Sequence, residues 1–235
     1  MSLVQPATKQ LLSSSLTERI AELIRGHRQL DGWTAYSGTD LTRVGAAVYA
    51  QQHGIFTRHS RRVWAYVVGN CPEVDMRRFI VRENLHEEEG TEENSHYEKI
   101  VRLGAVLGLE RATIDDAVPL ASTRAALLIW ETLTKDRHWL IGAAAKGALE
   151  YRNTSGLEGQ RWMQKLGLSR DQVEFWMLHH EVDQVHGDGA FDLIARFVPN
   201  SREVDENAVL TAVDDSMYAW RLFRGGIAEA ARAAK

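Results

Sequence analysis

The sequence predicts an all-α protein, and three features carry that prediction. Ala, Leu, Glu and Arg, all good helix formers, dominate its 235 residues. Apolar residues recur at helical spacing through most of the chain, whereas the period-two alternation of half-buried strands is nearly absent. Only four prolines interrupt it, Pro6, Pro72, Pro119 and Pro199, and three of these stand at or near plausible helix starts.

The first amphipathic run covers residues 11–24 (LLSSSLTERIAELI), and the second covers residues 41–55. A third, at 60–69, ends on Gly69-Asn70, and Pro72 opens a fourth that extends to Gly90, where the glycine breaks or reshapes the helix. Runs at 94–107, 120–133, 138–151, 169–185 and 208–231 bring the set to eight or nine helices. The run at 169 has the clearest start. Ser169 and Gln172 form a capping-box pair, and Asp171 sits in the first turn, where the helix dipole favours an anion. Connections are short and no compositional break marks a linker, so residues 1–235 read as one helical-bundle domain.

Composition narrows the function. Apolar residues make up 44% and charged residues 26%, as in soluble globular proteins. A net charge of −4, a pI near 6.1 and the lack of a Lys/Arg cluster argue against nucleic-acid binding. The lone Cys71 leaves no partner for an internal disulfide and no multi-thiolate zinc site. The opening MSLVQPATKQ lacks a basic stretch followed by an apolar one, and no run reaches the roughly 18 apolar residues of a membrane span. The expectation is a soluble cytoplasmic protein.

His179, Asp183 and His186 stand at i, i+4 and i+7, within a narrow arc of one helix face that also carries Phe175 and Val182. A carboxylate and two imidazoles on a stripe that should be buried need partners, and a metal ion satisfies all three. The competing reading is a solvent-facing polar patch, or core histidines bonded to carbonyls. Glu150 ends the run GAAAKGALE, with Ala143 and Gly147 near its face, and as an isolated residue it reads as a surface glutamate paired with Arg152. The segment ENLHEEEGTEENSH adds Glu83, His86, Glu87, Glu88, Glu89, Glu92, Glu93 and His96. Most of its glutamates form a solvated face, and spacing does not choose between Glu88 and Glu89. Three carboxylates and three neutral imidazoles carry about −3, which two divalent ions turn into about +1. Oxygen and nitrogen donors without thiolate suit iron or manganese better than structural zinc.

The order NLxxE, then a glycine and a histidine, a later lone glutamate and finally HxxxDxxH resembles the haem-oxygenase-like diiron oxidases. That superfamily shares its fold with thiaminase II and pyrroloquinoline-quinone synthase. The stretch NCPEVDMRRFIVRENLHEEEGTEENSHYEKIVRLGAVLGLER is similar in its helix-opening CP and its VLGL helix end, and the resemblance covers roughly residues 40 to 230. It implies a haem-oxygenase-like bundle of seven to eight helices, often a homodimer. The implied metal ligands are Glu88, His96, Glu150, His179, Asp183 and His186, holding two Fe(II) ions with O2 as co-substrate. The implied activity is oxidation of a small amino-acid, amine or carboxylic-acid substrate, by N-oxygenation or by oxidative C–C or C–N cleavage, with an external reductant as a further partner.

Three rivals compete. Glu83-x-x-His86 and Glu93-x-x-His96 fit the ferritin-like diiron unit, but they lie ten residues apart in one segment instead of on separate helices. A metal-independent enzyme like thiaminase II or the quinone synthase shares the fold; the first needs a cysteine nucleophile, and Cys71 reads as a buried helix-start residue. A non-enzymatic iron or haem carrier is the third. Trp176, Tyr97 and Arg152 are candidate pocket residues from their closeness in sequence to the proposed ligands, although tryptophans at helical spacing are more often core.

Overall fold

The computed structural model describes residues 15–91, 93–151 and 155–234, the side chains of 155–156 and 178–188 excepted. Within them every regular element is helical. Helix α1 (Leu16–His27) starts on Ser15, whose hydroxyl accepts from the Glu18 N–H while the Glu18 carboxylate accepts from the Ser15 N–H. Its stripe of Leu16, Ile20, Ala21 and Ile24 is buried, and α1 packs on the last helix. Residues 11–14 of the first predicted run lie outside the described residues. After the short α2 (Trp33–Ser37), α3 (Arg43–Asn70) begins on Thr42, whose hydroxyl accepts from the Gly45 N–H at 3.0 Å. The two helices predicted at 41–55 and 60–69 are one rod of 28 residues, about 42 Å long. Nothing between Phe56 and His59 stops a helix, and Gly54 is tolerated inside it.

The single helix predicted at 72–90 is divided. A first turn, α4 (Val74–Phe79), passes into a π-helical turn at Ile80–Leu85 and then into α5 (His86–Glu89). The π turn accommodates an extra residue and so shifts the register of α5, a device common at functional sites. Gly90 ends the run at φ +52°, a region that favours glycine. Ser95 caps α6 (His96–Val106) by accepting from the Glu98 N–H at 3.2 Å. The short α7 (Arg111–Asp115) was not predicted. Next come α8 (Ala121–Lys135) and α9 (Trp139–Glu150), near their predicted bounds, and then an unpredicted α10 (Ser155–Leu166). The Ser169–Gln172 capping box is present, with reciprocal bonds of 2.9 and 3.3 Å. It closes a 3-10 turn at Asp171–Val173, however, and α11 (Glu174–Phe197) begins only after that turn and runs past the predicted end at 185. A 3-10 turn at Val198–Asn200 leads to α12 (Glu206–Ala233), capped by Asp205.

Ten of the twelve residues of α9 are buried, and only an interior helix can be so. Its small residues let α3, α8, α11 and α12 pack around it. One buried bond chain ties three of these: the Trp130 indole on α8 donates to Ser216 Oγ on α12 at 3.0 Å, and Ser216 donates to the Ala145 carbonyl on α9. No helix among the described residues is long and apolar enough to cross a membrane.

Candidate functional site

One face of α3 presents Tyr49, His53, Phe56 and Ser60 at spacings of four, three and four, and these side chains line a cavity of about 320 Å³. Phe175 and Trp176 of α11 and Trp220 of α12 complete an aromatic wall. The rings hold one another in place: Tyr49 lies 4.8 Å from Trp176, His53 is 5.0 Å from Phe175 in an edge-to-face pair, and Phe56 is 5.0 Å from Trp220. The Tyr49 hydroxyl bonds to His53 Nδ1 at 2.7 Å.

The buried end of the cavity is polar. Glu88 of α5 and His96, the first residue of α6, are each 8% exposed, and Glu88 Oε2 lies 3.4 Å from His96 Nδ1. Glu87 Oε2 stands 3.9 Å from His96 Nε2, so the imidazole sits between two carboxylates. Ser60 of α3 donates to Glu88 Oε1 and accepts from Lys146 Nζ at 2.8 Å. Lys146, on the central helix, is only 2% exposed, and its ammonium stands 5.4 Å from the Phe56 ring and 5.3 Å from the Trp64 ring. Glu150, one turn further along α9, accepts from the Trp64 indole at 3.1 Å and from the Asn84 amide on the π turn.

These surroundings set the proton affinities. Burial opposes the Glu88 carboxylate, but His96, Lys146 and Ser60 outweigh it and hold its pKa below the ordinary value. His96 is raised, because Glu88 and Glu87 more than offset its burial. Glu150 is pushed up to about 8, first by desolvation; Lys146 opposes the rise and the charges of Glu88 and Glu87 add to it. Among the described residues two buried atoms here find no hydrogen bond, Glu88 Oε2 and Asn84 Oδ1. Unsatisfied acceptors are costly in a protein interior.

The other end of the cavity opens between Leu157, 64% exposed, and Ser37. Here Glu158 and Arg161 of α10 and Arg224 of α12 lie together. Glu158 accepts from Arg161 and, at 3.2 Å, from the Trp162 indole, and lies 3.9 Å from Arg224.

Glu88 therefore faces inward, whereas Glu89 is exposed and 3.5 Å from Arg61, which separates two residues that spacing left tied. Glu150, read alone as a surface residue, lines the cavity. His179, Asp183 and His186 lie on α11, beyond Phe175 and Trp176, but their side chains are outside the described residues, as is Arg152. Trp176 lines the cavity, and its buried indole N–H has no hydrogen bond among the described residues. Tyr97 is not among the lining residues; its hydroxyl donates to Asp115. Cys71 is buried at the end of α3, also away from the lining, and burial raises its thiol pKa. That position does not suit a nucleophile. Among the described residues no three His, Cys, Asp or Glu side chains are grouped closely enough to hold a metal by themselves.

Sequence reasoning missed Ser60, Asn84 and Lys146. Helical pairing held a signal for two of them: Lys146 is four residues before Glu150, and Asn84 four before Glu88. Lys146 is also the only charged residue within GAAAKGAL.

The model of a family described as iron-containing redox enzymes matches residues 47–221. No curated protein matches the chain. Among solved structures, a Shewanella denitrificans domain of unknown function with a heme oxygenase-like fold superposes with a TM-score of 0.70 at 14% identity, covering 98% of this chain and 95% of that one. A CADD-like protein of unknown function from Nostoc punctiforme gives 0.69 at 18%, with 92% and 96% covered. A TenA homolog from Pseudomonas syringae pv. tomato gives 0.68 at 17%, with 95% and 93% covered. At such identities the likeness establishes the fold, an all-α haem-oxygenase-like bundle.

Proposed function

Because the chain belongs to the iron-containing redox enzyme family, we propose that it is a non-haem diiron oxidase that uses O2 on a small amino-acid, amine or carboxylic-acid substrate. The observation that carries this reading is the buried Glu88 Oε2, without a hydrogen bond among the described residues, beside His96 in a cavity that also holds Glu150. A buried carboxylate oxygen whose near partner is an imidazole at 3.4 Å, without a hydrogen bond among the described residues, suits a cation. Carboxylate and imidazole donors without a thiolate fit iron, or manganese in its place. Glu88, His96 and Glu150 form one part of the ligand set, and His179, Asp183 and His186 on α11 the other. When bound, two ferrous ions would supply electrons and a coordination site for O2.

The chain's own residues prepare that site. Asn84 and Trp64 hold the two Glu150 oxygens in a fixed orientation, as supporting partners do for metal ligands. Lys146 Nζ, Ser60 Oγ and Glu88 Oε1 form a continuous hydrogen-bonded line along which a proton can move to the buried end of the cavity. The aromatic wall keeps water from the substrate. N-oxygenation or oxidative C–C or C–N cleavage is the chemistry of this reading, which also includes a cytoplasmic homodimer, formed by the whole chain as one domain and fed by an external reductant.

Anaerobic loading with Fe(II), followed by O2 exposure with a panel of amino acids, amines and carboxylic acids, tests it. About two irons per chain and substrate-dependent O2 uptake are expected, with iron lost in Glu88→Ala, Asp183→Ala and His186→Ala and retained in Glu89→Ala. Iron binding that is absent, or undiminished in the first three variants, would sink the reading.

A further inference from the structure

The cavity has two polar ends of different chemistry, and the diiron reading uses only the buried one. At the mouth, Arg161 donates through Nη1 to Glu158 and through Nη2 to the Thr39 carbonyl and hydroxyl. Arg224 donates through Nε to the Trp33 carbonyl at 3.2 Å and through Nη2 to Ser37 Oγ at 2.9 Å. Arg161 Nε and both hydrogens of Arg224 Nη1 make no hydrogen bond among the described residues, although Arg224 is only 9% exposed. Glu158 is already held by Arg161 and Trp162. Two guanidiniums against one carboxylate leave the trio with a formal charge of +1. Such a cluster has donors and positive charge to offer and no carboxylate to spare, so it fits an anion and rejects an amine.

Helix α3 measures the distance between the ends. The Tyr49 ring is 5.0 Å from that of Tyr36, over which Arg161 and Arg224 stack at 5.4 and 5.6 Å. Ser60, bonded to Glu88, lies eleven residues further along the same face, about 16 Å at 1.5 Å per residue. Between them the lining is His53, Phe56, Phe175, Trp176 and Trp220.

We infer that the Arg161–Arg224 pair is a carboxylate site, which anchors an elongated arylalkanoate at the cavity mouth with its apolar body along the aromatic wall. The ligand's end remote from the carboxylate then reaches Glu88, His96 and Glu150, so oxidation falls on that remote end. The position of the oxidation rests on the diiron reading; the carboxylate site does not.

The test is isothermal titration, with tryptophan fluorescence as a second readout, of the full-length protein with and without Fe(II). The probes are 6-phenylhexanoate, 6-phenylhexan-1-ol, 6-phenylhexylamine and the short phenylacetate. The structure calls for 6-phenylhexanoate to bind about tenfold or more tightly than the other three, the worth of a charge-assisted hydrogen bond in a partly desolvated site. Arg224→Gln and Arg161→Gln should each remove that preference over the alcohol. Since Arg224 also braces α2, Leu157→Glu provides a variant at an exposed position: the added carboxylate at the mouth should weaken 6-phenylhexanoate and leave the alcohol unchanged. Equal binding of acid and alcohol, tighter binding of the amine, or a preference that survives all three substitutions would overturn the proposal. These outcomes are read with and without iron. A failed mouth thus leaves the metal reading standing, and failed iron binding leaves the mouth standing.

Discussion

Glu88 and Glu150 share the floor of one cavity, yet their neighbours drive their proton affinities apart. Glu88 has an imidazole beside it and is held below the ordinary carboxylate pKa, whereas Glu150, desolvated and near other acids, is pushed up to about 8. In the unfolded chain both titrate near 4.3. Between about 4.3 and 8 the folded metal-free protein therefore retains a proton on Glu150 that the unfolded chain has released. Its contribution to stability is intact below that window and is lost as pH rises through it. Glu88 has the opposite sign: its contribution is present above about 4.3 and is lost as pH falls through its lowered folded value. In Glu150→Gln the titration is gone, while the hydrogen bond it forfeits costs about 1 kcal/mol at every pH. The difference in melting temperature, variant minus parent, should therefore climb from pH 5 to pH 8.5 in the metal-free protein. A flat difference would mean that Glu150 ionises like an exposed carboxylate. Iron binding requires the ionised ligand, so it should release a proton at pH 7, and the release should shrink in the same variant. Calorimetric titrations in two buffers of different ionisation enthalpy measure it.

At the scale of elements, the unpredicted α7 sets the spacing of the two helices that bring Ser60 and His96 to the floor. A Cβ on Gly54 of α3 would meet Ile114 Cγ2 at 2.7 Å, and one on Gly104 of α6 would meet Ile114 Cδ1 at 2.3 Å. Ile114 is thus a knob seated in a notch that two glycines keep open. In Gly104→Ala, overpacking of about 1–3 kcal/mol outweighs a helix-propensity gain of roughly 0.8–1 kcal/mol. Ile114→Val removes the Cδ1 that clashes and alone costs about 0.5–1.5 kcal/mol. The double variant should be clearly more stable than the sum of the singles, by roughly 0.5–3 kcal/mol in a denaturant-unfolding cycle. Additive losses would show that α3 and α6 are not spaced through this contact. The helix responsible has five residues, less than two turns, so periodicity gives it no signal in the sequence. The π turn was hidden for another reason: Ile80–Leu85 satisfies the same apolar pattern whether wound as α or as π, and tertiary packing decides. Most of the long helices were legible because an apolar pattern recurs over several turns and many have a cap, the twelve-residue α10 being the exception. The break expected before Ser60 failed because Gly54 is packed against Ile114 inside the rod and Thr57 donates its hydroxyl back to the Gly54 carbonyl at 3.1 Å instead of capping a new helix.

The whole molecule draws its proposed ligands from distant parts of the chain: Glu88 and His96 flank Gly90, Glu150 ends the central helix, and the remaining trio lies on α11. Of the proposed donors, spacing marked only His179, Asp183 and His186, on one helical face, whereas Glu88, His96 and Glu150 entered through the resemblance, because a lone glutamate or an acidic run reads as a solvated face. The mouth was not legible, since Arg161 and Arg224 stand 63 residues apart and read separately as ordinary surface charges. An ion held by such a set bonds the α5–α6 segment to α9 and α11 at once, and the unfolded chain offers no equivalent site. Its binding energy is then folding energy. At a free Fe(II) concentration one hundred times the dissociation constant the gain is about 2.7 kcal/mol. For a chain of this size each kcal/mol raises the melting temperature by roughly 2–4 °C, so anaerobic Fe(II) should raise it by about 5–11 °C. A chelator should reverse the rise. The exposed Glu89→Ala should keep it, since Glu89 lies 3.5 Å from Arg61 on the surface, and Glu88→Ala should lose it. A rise that persists in Glu88→Ala would mean that iron clips the fold elsewhere, and that the buried Glu88–His96 pair does not hold it.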